Sequence, residues 1–180
     1  MIIGIIKDND IGMENIELND PIVRVAARGI VLNGDKVAIF HKENKNEYKL
    51  PGGGMDEGET PEECFAREAR EEIGCVLENI VKLGVIEEHK GATNFKQISH
   101  VFVANVKEDL HKLDLTEKEK TEGGKMLWVD LNTAIKLVEG SFDKLKAGVD
   151  ETVYMSKFII KRDLAILNYY KNSLLPNKSR

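Results

Sequence analysis

Three glutamates, Glu68, Glu71 and Glu72, stand close together in a segment with helical spacing. Offsets of three and four residues place their carboxylates on one helix face, within one turn. Like charges so placed repel each other and destabilise an isolated helix, so we expect a cation to offset the repulsion. Hard divalent cations such as Mg²⁺ take oxygen ligands. The pattern makes a divalent cation site a candidate, with a merely solvated acidic face as the alternative.

A glycine run and an arginine flank these acids. Gly52–Gly54 allow the backbone to bend tightly and to approach a ligand closely. Arg67 precedes Glu68 directly and lies four residues before Glu71, and its planar guanidinium can hold carboxylates in a fixed orientation. We expect Glu59, just before the helix, to pair with Arg67.

The helix that carries the acids has clear ends. Thr60 is a capping residue, Pro61 occupies the first helical position, and Glu63 completes a capping box. Gly74 is a typical residue after a helix C-terminus, so the helix is expected to end near Ile73. A separate apolar stripe on this helix can pack on a sheet. It consists of Phe65, Ala66, Ala69 and Ile73.

Strand patterns surround this helix and predict a mixed α/β domain in layers. Asn33-Gly34 between two apolar runs predicts a β-hairpin. Residues 97–106 show the partial alternation of a strand, whereas 107–125 form a charged connection. Further strands are expected at 2–6, 76–88 and 126–129, further helices at 131–139 and about 150–172, and a disordered tail from Pro176.

Composition excludes several classes of protein. The chain has 180 residues, with 31 acidic against 26 basic residues and a net charge of -5, which argues against a compact basic DNA-binding module. No stretch approaches the roughly 18 apolar residues of a membrane span. Cys64 and Cys75 fit no metal-binding spacing and favour a reducing, cytoplasmic location.

The acids, the glycines and Arg67 together resemble the Nudix box of the MutT-like Nudix hydrolase superfamily. The pattern runs from Gly53 through five residues to Glu59, and through seven more to 67–74 (REAREEIG). Ala69 and Cys75 take places usually held by larger aliphatic side chains. The similarity covers about 22–140, as a Nudix domain. It leaves 1–21 as an N-terminal extension with a strand, and 141–180 as a C-terminal helical segment packed on the domain.

The resemblance implies a Nudix α/β/α sandwich with a mixed β-sheet. It implies a hydrolase that cleaves a diphosphate bond in a nucleoside diphosphate linked to another moiety, with water attacking phosphorus. By the same resemblance Glu68, Glu71 and Glu72 hold Mg²⁺ or Mn²⁺, with the carbonyl of Gly52 as a further ligand. Arg67 joins the catalytic set, and it orients the loop and helix with the structural motif residues Gly53, Glu59 and Gly74.

A further carboxylate from a later loop is expected to complete such a site. Glu122 is favoured as ligand or general base, because it precedes Trp128 by six residues, as in relatives that cleave nucleoside triphosphates. Glu117 and Glu119 are alternatives, and Glu68 is a rival base. Substrate contacts are expected from the positions Arg24, Arg28, Gly53 and Gly54.

The substrate is the least determined feature. No proline occurs between Pro61 and Pro176, and no tyrosine between Tyr48 and Tyr154. These absences lean towards a nucleoside triphosphate or a nucleotide derivative, and away from the markers of ADP-ribose and dinucleoside-polyphosphate enzymes. An ADP-ribose or nucleotide-sugar pyrophosphatase and a non-catalytic nucleotide-sensing module remain alternatives.

A prenyl-diphosphate isomerase would need a reactive cysteine, and Cys64 within a helix is a poor one. No DNA or membrane partner is expected, and the N-terminal strand could pair across a homodimer.

Overall fold

A mixed sheet of eight strands forms the centre of the computed structural model, which describes residues 1–145 and 151–174. Six strands follow the order β1-β6-β7-β2-β3-β4, while β5 pairs with β2 and β8 pairs with β3. The β1–β6 and β2–β7 pairs are parallel and the other pairs are antiparallel. The strands are β1 (Ile2–Ile6), β2 (Ile22–Asn33), β3 (Lys36–Lys42), β4 (Glu47–Lys49), β5 (Gly52–Gly54), β6 (Cys75–Lys90), β7 (Phe95–Asp109) and β8 (Gly124–Val129).

The hairpin predicted at Asn33-Gly34 is confirmed. Strands β2 and β3 are antiparallel, and Asn33 pairs with Lys36 across the turn. Gly34 has a φ of 60°, a left-handed conformation that glycine adopts at little cost.

Helix α1 (Pro61–Ile73) covers one face of the sheet, and its predicted ends are confirmed. Thr60 N donates to Glu63 Oε2 at 2.8 Å, and Glu63 N donates to Thr60 Oγ1 at 3.3 Å, which completes the capping box. Gly74 follows the helix with a φ of 66°. The buried stripe of α1 packs against β2, β3 and β7, so the acids at its edge are rigidly placed. The core on this face includes Ala27, Val31, Ala38, Phe65, Ala69, Ile73 and Phe102.

Two longer helices, α3 (Leu131–Lys144) and α4 (Glu151–Ser173), cover the other face, after the short α2 (Glu117–Thr121). The expectation that α3 ends at Gly140 is wrong. Gly140 lacks the left-handed conformation of a terminating glycine, so the helix continues to Lys144. The core on this face includes Ile30, Ile39, Leu50, Ile86, Val138, Phe158 and Ile166. The expected disordered tail from Pro176 lies outside the described residues.

A buried hydrogen-bond cluster around Asp8 joins the first twenty residues to α4. Tyr154 Oη in α4 donates to Asp8 Oδ1 at 2.5 Å, and Gly91 N donates to Asp8 Oδ2 at 3.2 Å. Because β1 also pairs with β6, the N-terminal segment helps to hold α4 over the sheet.

Among the described helices, none combines the length and hydropathy that crossing a membrane requires.

Candidate active site

A cleft of about 640 Å³ opens between α1, the β5 glycines and the N-terminal half of α4. Strand β5 brings Gly52–Gly54 beside β2, so the glycine run is held as a sheet segment. The acids of α1 face this run from one side. Residues of α4 face it from the other, among them Met155, Ile159 and Arg162. The sheet therefore places the sequence-predicted acids and glycines together, as expected.

Glu72 is the most deeply buried of the three acids. It is 1% exposed, and its Oε1 lies 2.5 Å from Lys49 Nζ in β4. Gly52 N donates to Glu72 Oε2 at 2.8 Å. Gly52 has a φ of 139°, and a Cβ there would lie 2.4 Å from the carbonyl oxygen of Ala27. Glycine is therefore required where the backbone turns its N–H towards the acid.

Glu68 lies directly against the backbone of the glycine run. A Cβ on Gly53 would fall 2.3 Å from Glu68 Oε1 and 2.6 Å from Glu68 Cδ. The carboxylate of Glu68 thus occupies the space that a side chain on Gly53 would fill.

Arg67 links the acids to the loop before the helix. Its Nη1 donates to Glu68 Oε1 at 2.9 Å and to Glu71 Oε2 at 3.2 Å. Its Nε and Nη2 bind the two oxygens of Glu59, and Nη2 also donates to the carbonyl oxygen of Gly54 at 3.1 Å. The expected pairing of Arg67 with Glu59 is confirmed.

The donor set fits a divalent cation. Burial raises the pKa of Glu68, and the neighbouring Glu71 raises it further, although Arg67 and Lys49 act in the opposite direction. Burial likewise raises the pKa of Glu72, against Lys49. Within the described residues, no three acidic, imidazole or thiol groups stand together as a complete metal cage. Arg67 binds Glu68 and Glu71, and Lys49 binds Glu72. The carboxylates still offer the hard oxygen donors that Mg²⁺ and Mn²⁺ prefer, at the edge of the cleft.

The structure places the candidate later carboxylates differently from the sequence expectation. Glu122, which was favoured, does not line the cleft, because Lys45 and Lys42 hold its carboxylate at 2.7 and 2.9 Å. Those two lysines do line the cleft, so Glu122 acts on the cleft only through them. Glu117 is exposed and pairs with Lys120 at 2.7 Å.

Glu119 is the member of this group that reaches the cleft. Its Oε2 accepts hydrogen bonds from Thr116 N at 2.9 Å and Thr116 Oγ1 at 2.8 Å, which fixes the side chain in the capping box of α2. Burial would raise the pKa of Glu119, but these bonds, the charge of Lys49 and a contact with Glu72 outweigh it and lower the pKa. Glu119 is therefore an ionised carboxylate beside the α1 acids.

Both arginines expected to contact substrate line the cleft on one face of β2. Arg24 is exposed and lies over Gly54. A Cβ added to Gly54 would lie 2.2 Å from Arg24 Nη2. Arg28 is buried beside Gly52, its partner in the β2–β5 register.

Other residues of the cleft were not found by the sequence analysis. Lys49, Gln97 and Arg162 come from three separate elements, and only the fold brings them to the cleft. One signal was available, since Arg162-Asp163 places two charges among the apolar positions of the last helix.

Cys64 is excluded as a nucleophile by its surroundings. The thiol is fully buried, and burial raises its pKa to about 12, so it stays protonated at neutral pH. The chemistry of a cysteine-dependent isomerase is therefore not supported.

The fold and the acid-and-glycine site define a protein of the Nudix class, and comparison with known proteins agrees. The family model described as NUDIX domain matches residues 23–148. The chain belongs to the NUDIX domain family. Divalent metal ions are general in this family.

Solved structures with the same fold share little sequence with this chain. A NUDIX hydrolase from Nitrosomonas europaea is similar with a TM-score of 0.57 and 14% identity, covering 86% of this chain and 90% of that one. A MutT protein from Bacillus halodurans is similar with a TM-score of 0.52 and 21% identity, covering 78% and 84%. These likenesses confirm the mixed α/β fold.

Curated relatives differ in their named activities. An RNA pyrophosphohydrolase from Sulfurovum sp. (strain NBC37-1) is 50% identical over 44 residues, 24% of this chain and 27% of the relative. An ADP-ribose pyrophosphatase from Methanocaldococcus jannaschii is 32% identical over 105 residues, 57% of this chain and 60% of the relative. One from Bacillus subtilis is 28% identical over 146 residues, covering 72% and 75%. The first two matches thus span about a quarter and three fifths of those proteins.

Proposed function

We propose that this protein is a metal-dependent pyrophosphohydrolase that cleaves a diphosphate bond in a nucleoside diphosphate linked to another moiety. The observation that carries the proposal is the close approach of Glu68 to Gly53. It places an α1 carboxylate in the space a side chain would fill, at the edge of a cleft with cationic side chains. Such a cleft combines metal-binding oxygens with groups that attract phosphate.

Each residue of the site has a distinct role in the proposal. Glu68, Glu71 and Glu72 hold Mg²⁺ or Mn²⁺, and the carbonyl of Gly52 is a further candidate ligand. When bound, a divalent cation neutralises the diphosphate and makes water more acidic. Arg67 keeps two of the acids in place, since its Nη1 donates to both Glu68 and Glu71.

We favour Glu119 over Glu122 as the general base. The two hydrogen bonds from Thr116 fix the Glu119 carboxylate at the cleft, where it can accept a proton from the attacking water. Glu68 remains a rival base, because it also faces the glycine run. Glu122 is assigned the role of holding Lys42 and Lys45 at the cleft.

A hydrolysis screen, in which the nucleotide products are separated by chromatography, tests the proposal. It uses Mg²⁺ and Mn²⁺ with nucleoside triphosphates, oxidised triphosphates, ADP-ribose, nucleotide sugars and dinucleoside polyphosphates. The variant Glu71→Gln removes a metal-binding carboxylate, and Glu62→Gln, an exposed acid of the same helix, is the matched control. We expect metal-dependent turnover that falls by at least about tenfold in Glu71→Gln only. Equal rates in the parent and Glu71→Gln would contradict the proposal.

A nucleotide-sensing module without activity is less well supported, because all three α1 acids are present and reach the cleft. Turnover in the screen decides against it directly. Two relatives are named ADP-ribose pyrophosphatase, which makes ADP-ribose a specific alternative substrate. That alternative is included in the same screen.

Location and assembly complete the proposal. Both cysteines are unpaired, which is in keeping with a reducing cytoplasm, and the net charge of -5 argues against DNA as a partner. Strand β1 lies at the end of the sheet order and exposes Ile2 and Ile5, so a second copy of the chain is the proposed partner of this edge. Light scattering of the full chain and of a form without residues 1–6 tests the homodimer.

A further inference from the structure

Arg28 lies at the floor of the cleft without an acidic partner. The residue is 4% exposed, and its Nε donates to Ser99 Oγ at 3.2 Å. No carboxylate among residues 1–145 and 151–174 forms an ion pair or a hydrogen bond with its guanidinium. Burying an unpaired guanidinium is costly. A ligand that brings negative charge to the cleft would offset this cost.

The nearby acid Glu88 is already fully engaged. Lys90 Nζ lies 3.0 Å from Glu88 Oε1, and Arg162 Nη1 lies 3.2 Å from Glu88 Oε2. Gln97 Nε2 also donates to Glu88 Oε2, at 2.8 Å. These three partners occupy both oxygens of Glu88, and its carboxylate forms no ion pair with Arg28.

The buried charged residues around Arg28 carry one more positive than negative charge. Arg28, Lys90 and Arg162 are cations, while Glu88 and Asp163 are the acids among them. Asp163 Oδ1 accepts a hydrogen bond from Arg162 Nε at 2.8 Å, so its charge is also used. Burial and then the repulsion of Arg162 lower the pKa of Arg28 to about 10, which keeps the guanidinium charged at neutral pH.

The register of the sheet places Arg28 beside the candidate metal site. Arg28 pairs with Gly52 across β2 and β5, and Gly52 N donates to Glu72 Oε2. Neighbouring strands lie roughly 5 Å apart. Arg28 therefore lies about one strand spacing from the backbone that binds Glu72.

We propose that Arg28 forms an anion subsite that binds a phosphate group of the substrate beyond the diphosphate bond that is cleaved. Arg162, from α4, is a positioning residue that keeps Glu88 away from Arg28. The subsite favours substrates with a further phosphate, such as nucleoside triphosphates, over diphosphates that end in a neutral sugar. The choice of substrate rests on the proposed function, whereas the subsite itself does not depend on hydrolysis.

An NMR titration with inorganic phosphate in the presence of EDTA tests the subsite without metal or turnover. In the parent we expect a saturable shift of the Arg28 Nε–H signal.

Arg28→Gln should weaken phosphate binding by at least about tenfold, because charged hydrogen bonds are lost. Arg28→Lys retains the charge but not the planar fork, so it should fall between the two. Lys136→Gln removes an exposed lysine of α3 and the same unit of charge, and should bind as the parent does. Equal binding by Arg28→Gln and the parent, or no binding by the parent, overturns the subsite.

The role of Arg162 has its own readout. In Arg162→Met, Glu88 and Asp163 both lose a cationic partner and are free to pair with Arg28, so phosphate binding should weaken although Arg28 is present. In Arg162→Met/Glu88→Gln/Asp163→Asn, Arg28 is again without an acid, so binding should recover. Failure of the second variant to restore binding overturns the positioning role.

Kinetics with Mg²⁺ test the substrate preference. We expect Arg28→Gln to lower the ratio of kcat/KM for a nucleoside triphosphate to that for ADP-ribose by about tenfold relative to Lys136→Gln. An equal loss for both substrates overturns the preference. If neither substrate is hydrolysed, the proposed function fails while the phosphate titration still decides the subsite.

Discussion

The guanidinium of Arg67 holds the carboxylate of Glu59 through two nitrogen atoms, with Nε 2.8 Å from Oε1 and Nη2 3.0 Å from Oε2. The hydrogen bonds from Arg67 lower the pKa of Glu59 to about 2. The remaining nitrogen, Nη1, is then directed at Glu68 and Glu71. One planar side chain therefore fixes both the loop before α1 and two acids of the site.

Replacing Arg67 by lysine should lower activity without unfolding the protein. Lysine keeps the charge but cannot bind Glu59 with two nitrogens and the α1 acids with a third. We expect kcat/KM to fall by at least about tenfold, because charged hydrogen bonds contribute roughly 1.5–3 kcal/mol each. Arg70→Lys, at an exposed position of the same helix, is the control in kinetics and thermal unfolding. Similar kinetics for the two variants would show that Arg67 acts only through its charge.

Gly53→Ala should displace the carboxylate of Glu68. The added Cβ would lie 2.3 Å from Glu68 Oε1, and the flexible end of this side chain can move away. We therefore expect a loss of metal-dependent activity with little loss of stability, measured by the formation of nucleotide products and by thermal melting.

Gly140→Ala in α3 is the matched control for this substitution. A Cβ at Gly140 would meet no atom within 4 Å, and alanine favours helix over glycine by about 1 kcal/mol. The control should retain activity and melt at a slightly higher temperature. Full activity in Gly53→Ala would contradict the assigned position of Glu68.

Glu119→Gln and Glu122→Gln separate the two candidate bases. Glu119 lines the cleft, whereas Glu122 is bound by Lys42 and Lys45. We expect Glu119→Gln to lower kcat by about a hundredfold, the scale of general-base catalysis. Glu122→Gln should change KM more than kcat, because it frees two lysines of the cleft. The opposite pattern in steady-state kinetics would restore Glu122 as the base.

Glu88 should make stability depend on pH in acid. Burial alone would raise its pKa, but Arg162, Lys90 and Arg28 outweigh burial and lower it from 4.5 to about 2. A lowered pKa in the folded state stabilises the fold above pH 4.5, and the contribution is lost as the pH falls from 4.5 towards 2.

Glu88→Gln tests this dependence through urea unfolding at several pH values. The variant should be less stable at neutral pH, because Arg162 and Lys90 lose their acid. Between pH 4.5 and 2 the slope of its unfolding free energy should be smaller by up to about 1.4 kcal/mol per pH unit. An unchanged slope would mean that other carboxylates determine the acid response.

Tyr154→Phe should weaken the link between α4 and the N-terminal segment. The hydroxyl donates to the buried Asp8 and accepts from Ala92 N at 3.3 Å, so its removal leaves a buried carboxylate short of a partner. We expect a loss of about 1–3 kcal/mol in unfolding free energy with kcat unchanged. Tyr170→Phe is the control, since within the described residues its hydroxyl forms no hydrogen bond. Equal stability of the two variants would show that the Asp8 contact contributes little.

Local patterns allowed much of the framework to be predicted. The ends of α1 followed from Thr60, Pro61 and Gly74, and the hairpin followed from Asn33-Gly34, because caps and tight turns depend on a few neighbouring residues. The extent of α3 could not be predicted from Gly140, since a glycine ends a helix only where the surrounding chain turns.

By itself the sequence determined the fold class, the acids of α1 and their relation to Gly53, Glu59 and Arg67, because these lie within one short segment whose spacing fixes their geometry. Only the tertiary structure decided which later carboxylate reaches the cleft and which of the buried arginines Arg28 and Arg162 lacks an acid. Glu119 and Glu122 are three residues apart. Thr116 binds Glu119, whereas Lys42 of β3 and Lys45 of the following turn bind Glu122. The unpaired state of Arg28 likewise depends on Arg162, which is 134 positions further along the chain. Charges so distant in sequence meet only when the sheet and α4 pack together, so their balance is a property of the folded protein.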